Sequence, residues 1–384
     1  MDYKLGELLE LVTEKNSSLD YGLEDIVGVT IEKEMIPTIA NLKETALDKF
    51  NIVRPHDFVY NPRTHGKKIG LGYNDTDRCY IATWNNNTFR VKKEKEDIVL
   101  PDYLYLYFKR EIWDKEACFH AWGSSTVVLS WDSFCEMNIK LPTLNEQQKI
   151  VRQYKTLTDR IEVLEKINEK IDTLESIELS NSFETNDTER IELGDIAIFV
   201  DGDRGKNYPK FDEFYEKEFC LFLSASNVTK KGFEFEDCQF ITEEKDKKLK
   251  AGHLERNDIV FTSRGTIGNV ALYSKYVPYD NIRINSGMLI VRSQMEKISS
   301  YLLAVLLNSK YMESGIEQFK SGSAQPQLPV KDIKKILFPI IIDDSESIKL
   351  GTKMEHYENI KDANKAEINT LKKLIISLNS NLIG

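Results

Sequence analysis

Apolar residues recur along this chain in two rhythms. After Asn145 the stripe Ile150, Tyr154, Leu157, Ile161 and Leu164 alternates spacings of 4 and 3, and Ile171 and Leu174 resume it after Asn168. Towards the end, Met354, Tyr357, Lys361, Asn364, Ile368, Leu371, Ile375, Leu378 and Leu382 keep the same alternation. A narrow stripe of this period on a charged remainder predicts a coiled-coil seam rather than a helix wrapped into a globular core. Asn168, Lys361 and Asn364 are polar seam positions, which fix register at some cost in stability. Either helix alone is marginal in water, so the two are expected to pack on each other.

The second rhythm is short and strand-like. Ile259-Val260-Phe261, Val270-Ala271-Leu272-Tyr273 and Met288-Leu289-Ile290-Val291 are apolar runs bounded by Gly, Asn and Pro. Tyr301 to Asn308 predicts a buried helix, with Ser299-Ser300 as its cap and Asp102 capping an earlier equivalent. Strands that do not alternate regularly with helices predict an α+β fold rather than a doubly wound parallel sheet.

The landmarks come twice. Tyr3-Lys4-Leu5-Gly6-Glu7-Leu8 matches Ile191-Glu192-Leu193-Gly194-Asp195-Ile196, 188 positions later. Asp57-Phe58-Val59 matches Asp258-Ile259-Val260, 201 positions later. Tyr103-Leu104 and Tyr301-Leu302 follow, then Gly123-Ser124-Ser125 and Gly322-Ser323-Ala324, then runs closed by Pro142 and Pro339. The chain therefore reads as a duplicated unit of about 190 residues, each copy ending in a long helix. The turn-rich stretch 180–188 marks the boundary between them.

Composition narrows the function. The net charge of −10 argues against a simple nucleic-acid binder, although acidic faces can dock partners while local basic loops meet DNA. Cys79, Cys118, Cys135, Cys220 and Cys238 form no C-x-x-C pair and have no His at ligand spacing, which predicts free thiols and no metal. No apolar run spans a bilayer and the opening residues lack a signal-peptide profile, so the expected location is cytoplasmic, with no membrane contact. Phosphate-loop, dinucleotide and nucleophile-elbow motifs are missing, which predicts no catalysis.

Three features together resemble the specificity subunit family of type I restriction–modification systems. They are Leu141-Pro142-Thr143-Leu144-Asn145-Glu146-Gln147-Gln148-Lys149-Ile150-Val151, the Leu-Gly-Glu and Leu-Gly-Asp openings at 5–7 and 193–195, and Ser263-Arg264-Gly265-Thr266-Ile267-Gly268. The sequence departs from that pattern at Asp343-Asp344-Ser345-Glu346 and at Arg63-Thr64-His65-Gly66. The resemblance implies two pseudo-repeated target-recognition domains, 1–143 and 188–342, separated by two long antiparallel coiled-coil helices, 144–182 and 345–383. It also implies an asymmetric bipartite site on double-stranded DNA. The implied partners are two modification (methyltransferase) subunits using S-adenosylmethionine and restriction subunits using ATP and Mg; this chain is expected to bind none of those cofactors.

A helix of ~30 residues is about 45 Å long, close to one or one and a half turns of duplex, which agrees with a divided site. Base reading calls for Arg, Lys, Asn, Gln, Ser or Thr on loops. In the first half the candidates are Arg63, His65, Lys67 and Lys68, then Asn85, Asn86, Asn87 and Thr88, then Ser124, Ser125 and Thr126. In the second they are Arg204 and Lys206, then Ser263, Arg264 and Thr266, then Ser321, Ser323, Gln325 and Gln327. The mixed-sign runs 92–96 and 245–248 read as exposed faces. Two alternatives remain beside the resemblance: a recognition subunit of a methylation-only or other phage-defence complex, and a coiled-coil scaffold that never touches DNA.

Overall fold

A computed structural model describes residues 1–38, 45–65, 67–121, 127–294, 298–319 and 327–380. The chain divides into two units: Met1–Glu162 together with the end of the last helix from Asn369, and Val163–Ile368.

In the first unit, β1 (Asp2–Lys4) leads through the short helix α1 (Leu5–Leu8) into β2 (Leu9–Leu11). Next come β3 (Ile26–Val29), β4 (Met35–Pro37), β5 (Asn51–Val53), β6 (Phe58–His65), β7 (Lys68–Tyr73), β8 (Tyr80–Ala82) and β9 (Asn87–Val91). Helices α2 (Pro101–Phe108), α3 (Glu111–His120) and α4 (Trp131–Glu136) and strand β10 (Asn138–Lys140) complete the globular part, and α5 (Leu144–Thr185) follows. One sheet has the order β2-β9-β6-β7 and a second β4-β3-β8-β5, in which β3 and β8 run parallel. Strands β1 and β10 pair on their own, Asp2 against Lys140. Phe58 and Tyr60 of β6 point into an aromatic core with Phe89, Phe108, Trp113 and Phe134, while Val59 between them faces the second sheet. Both faces are covered here, so β6 opens with the unbroken apolar run Phe58-Val59-Tyr60.

The second unit repeats the plan. Strand β11 (Thr188–Glu192), helix α6 (Leu193–Ile196) and strand β12 (Ala197–Asp201) open it. Strands β13 (Cys220–Leu223), β14 (Val228–Thr229), β15 (Gly232–Phe233) and β16 (Phe240–Ile241) precede α7 (Glu243–Lys248). Then come β17 (Ile259–Thr262), β18 (Val270–Leu272), β19 (Ile282–Ile284), β20 (Met288–Ser293), α8 (Ser300–Leu307), α9 (Lys310–Phe319), α10 (Val330–Ile333), β21 (Leu337–Ile341) and α11 (Asp344–Ser380). The main sheet, β12-β20-β17-β18, has the same order and connections as its counterpart in the first unit, and β13 pairs β19 in parallel as β3 pairs β8. Ile259 and Phe261 face α8, while Val260 faces the smaller sheet. Helix α8 buries Leu302 to Leu307 and is capped by Ser299, whose Oγ accepts from Leu302 N–H at 3.1 Å. Asp102 does not cap α2: Pro101 opens that helix, and the Leu100 N–H donates to Gln147 Oε1 at 2.9 Å.

Within the second unit α5 and α11 run antiparallel. Lys361 Nζ bonds Asp172 and Glu175, Asn364 Nδ2 donates to Asn168 Oδ1 at 2.8 Å, and Lys353 pairs with Glu178, so numbering rises on one helix as it falls on the other. Leu164, Ile171, Leu179, Met354, Lys361 and Ile368 are buried along this seam. Leu174 is 45% exposed; Glu175, at 5%, takes the seam position expected of it. Leu382 lies outside the described residues.

Candidate nucleic-acid interface

In the second unit the polar candidates converge where three segments leave the main sheet. After β12 the chain turns through Gly202, whose missing side chain is a structural requirement: a Cβ there would lie 2.1 Å from the Asn285 carbonyl oxygen. The following loop is tied down. Asp203 accepts from the N–H groups of Lys250 (2.8 Å) and Gly205 (2.7 Å), and these bonds, that of Lys250 foremost, hold its carboxyl below the ordinary carboxylate range. Arg204 bonds Asp201 Oδ1 at 2.9 Å and the Ser286 carbonyl at 3.3 Å. Lys206 beyond it is exposed.

The turn Asn285–Gly287, between β19 and β20, is the hub. Asn285 Oδ1 accepts from Gly287 N–H at 2.8 Å, and the Gly287 carbonyl accepts the Ser263 N–H and hydroxyl at 3.0 and 3.1 Å. From Ser263 the chain passes Arg264, Gly265 and Thr266, all three exposed. Gly265 and Gly268 adopt φ of +71° and +93°, a left-handed backbone that a side chain would strain. Gln327 is exposed and bridges Arg264, and Leu328 N–H donates to the Ser263 carbonyl. The structure thus gathers Arg204 and Arg264 around the Asn285–Gly287 turn, with Gln327 bridged to Arg264 and Lys206 and Thr266 on the adjoining loops. Ser263 is buried and its hydroxyl is spent inside, so it supports this cluster and does not present a group to a ligand. Ser321, Ser323 and Gln325 lie outside the described residues.

The first unit differs in detail. Arg63, Lys67 and Lys68 sit at the tip of the β6–β7 hairpin, exposed, with Lys67 at φ +66°. A bulge between Tyr60 and Thr64 interrupts the ladder, and Pro62 there has no N–H to give it. The segment 127–129 lies beside this bulge: Thr64 N–H donates to the Val127 carbonyl and Leu129 N–H to that of Pro62. His65 is the hairpin's last β6 residue. Asn85 is exposed, and Asn87 donates to Tyr60 Oη at 2.8 Å. Asn86 and Thr88 are corrections. Asn86 is only 9% exposed, its carbonyl held by Asn51, and Thr88 is fully buried in the sheet, so neither residue is presented to a ligand. Ser124, Ser125 and Thr126 lie outside the described residues.

One cluster was invisible in sequence. Cys220, Asp246 and His253 bring one ligand atom each within 4.8 Å of one another, although no spacing suggested it. Burial alone would lift the Asp246 carboxyl; the hydrogen bond and charge of Arg283 outweigh it and hold it low. That guanidinium also bonds the carbonyls of Ala251, Asp246 and Leu249, so the Asp246 carboxylate is already paired with a fixed cation. Asp246 is thereby buried, against the expectation of an exposed face for 245–248. All five cysteines are free thiols. Among the described residues no helix is long and apolar enough to cross a membrane.

A family model described as type I restriction modification DNA specificity domain matches residues 1–173 and 185–373. The chain is 27% identical over 313 residues to the type I restriction enzyme MjaVIII specificity subunit of Methanocaldococcus jannaschii, covering 75% of this chain and 71% of that one. It is 26% identical over 267 residues to the MjaIX specificity subunit of the same organism, covering 64% and 60%. The crystal structure of the type I restriction-modification system S subunit from M. genitalium aligns over 100% of this chain and 96% of that one, with a TM-score of 0.62 at 18% identity. That last likeness is one of fold.

Proposed function

The chain belongs to the type I restriction–modification DNA specificity family, and on that premise we propose that each of its two units reads one half of an asymmetric, bipartite DNA site. A protein of this family is the DNA-sequence-recognition component of its system, associates with the other subunits and is not itself a catalyst. The observation that carries the bipartite reading is the duplication: two sheets of identical strand order, each ending in a cluster of exposed polar loops, with different residues on the two clusters.

The residues divide by what holds them. Arg204 is tethered on both sides and serves to position the loop; Arg264, Thr266 and Gln327 stand outside, where a guanidinium or amide can meet a base edge in the major groove. The exposed backbone at Gly265, free of a side chain, lets a phosphate approach closely, a contact that sets register without carrying sequence. Lys67, Lys68 and Lys206 supply the same positioning charge. Two modification subunits, using S-adenosylmethionine, would methylate adenines at the chosen site, and restriction subunits would use ATP and Mg; those cofactors belong to the partners.

Co-expression with the cognate modification subunit, followed by single-molecule sequencing of methylated adenines, tests this. One bipartite motif is expected, changed in a single half by Arg264→Ala and lost when this chain is deleted. A complex that binds DNA without sequence preference and leaves no motif would instead favour the scaffold.

A further inference from the structure

The pseudo-repeat allows one unit to be read against the other. In the second unit the hub is the turn between β19 and β20. Its counterpart in the first is the turn Thr83–Asn86 between β8 and β9: β8 pairs β3 in parallel as β19 pairs β13, and β9 lies next to β6 as β20 lies next to β17. The turn is closed by Asn86 N–H to the Thr83 carbonyl at 2.9 Å, and pinned from below by Asn51, whose Nδ2 donates to the Asn86 carbonyl at 3.0 Å. Asn51 is itself buried and bonded by the ε-amino group of exposed Lys15. On the far side, Asn87 is fixed to Tyr60 of the strand that carries Arg63.

The two central residues of this rigid turn, Trp84 and Asn85, point to solvent. Trp84 is 61% exposed and has no ring partner among the described residues, while Trp113 of the same unit is completely buried. An indole left mostly in water on a hydrogen-bonded turn gives the fold little of the burial an indole can offer. It is an amphipathic, nearly rigid surface of the kind that dominates recognition interfaces.

We propose that Trp84 is a specificity-determining contact of the first unit, its indole packing against an apolar base edge, a thymine methyl group, while Asn85 and Lys15 flank it with polar and positive groups. The assignment rests on the bipartite reading above. Apolar contact to the thymine methyl is a mode of major-groove readout open to such a ring.

The test is the adenine methylome of cells co-expressing the modification subunit with the full-length chain, its W84A variant or its W84F variant. We expect W84A to relax one base pair in one half of the motif, lowering discrimination there by about tenfold, with the other half intact. W84F, which keeps an apolar ring, should retain the motif. An unchanged motif in W84A overturns the proposal and leaves the bipartite reading standing. Loss of all methylation in both variants also overturns it, because a role in folding or assembly would do that. If the wild-type chain yields no bipartite motif, the reading itself fails and takes this assignment with it.

Discussion

At the scale of single residues, the second unit's cluster depends on a position that carries no chemistry. Gly202 allows the loop after β12 to lie on the Asn285 carbonyl. Gly202→Ala forces backbone against backbone, and overpacking of this kind costs about 1–3 kcal/mol. Thermal melting of the variant should fall by several degrees, and the half-site read by this unit should weaken; an unchanged melting curve would mean the loop can move aside. Residue type alone pointed to most of the exposed cluster, because Arg, Thr and Gln beside glycines are the groups base edges and phosphates need. Type alone also misled. Asn86, Thr88 and Ser263 are as polar as their neighbours, yet strand alternation and turn geometry send them inward, and a polar side chain gives no local sign of burial. Trp84 was missed for the converse reason: an aromatic residue in a mixed fold reads as core.

At the scale of elements, the long helices were legible because a 3–4 spacing kept from Met354 to Leu382 has few explanations. The exchange of Leu174 for Glu175 was not, since an acid beside an apolar residue normally marks the outer face. The partner explains it: Lys361 reaches Glu175 at 2.8 Å, Asp172 at 3.0 Å and Glu358 at 2.6 Å. Three carboxylates around one ammonium leave an excess of negative charge. Burial, with Glu358 and Asp172 adding to it against the pull of Lys361, pushes the Glu175 carboxyl up to about 7. The sign follows from linkage. The folded state holds this proton above pH 4.5, where the unfolded chain has released it, so the contribution to stability is present below about pH 4.5 and is lost as pH rises to about 7. Glu175→Gln should therefore gain melting temperature relative to the parent as pH is raised through that window, with no further gain above it. A difference that is flat from pH 4.5 to 8 would mean that Glu175 is ionised throughout.

At the scale of the whole molecule, the duplication was the strongest signal in the sequence, because landmarks at offsets of 188 and 201 survive where identity does not. Sheet order was not legible: strands of two or three residues carry too little pattern to show their neighbours. The charge of −10 has its own consequence. Local basic loops on an acidic body should bind duplex weakly without partners, in the range of ~10⁻⁴–10⁻⁶ M that backbone contacts provide. Fluorescence anisotropy of the chain alone and of the assembled complex, at two salt concentrations, checks this. Equal affinity in the two would show that the chain needs no help from the modification subunits to hold DNA.

The outermost strands of each globular body pair with one another, Asp2–Lys4 with Asn138–Lys140 and Thr188–Glu192 with Leu337–Ile341. Chain entry and chain exit therefore share one ribbon, whose backbone ladder is the same whatever is enclosed, while Ile139, Phe338 and Ile340 pack from it onto the core inside. Genetic recombination with crossovers inside those ribbons would exchange a whole globular body between two fixed backbone ends, and the incoming core would have to accept the helix residues that pack on it, Ile150 and Tyr154 in the first unit and Leu350 and Met354 in the second.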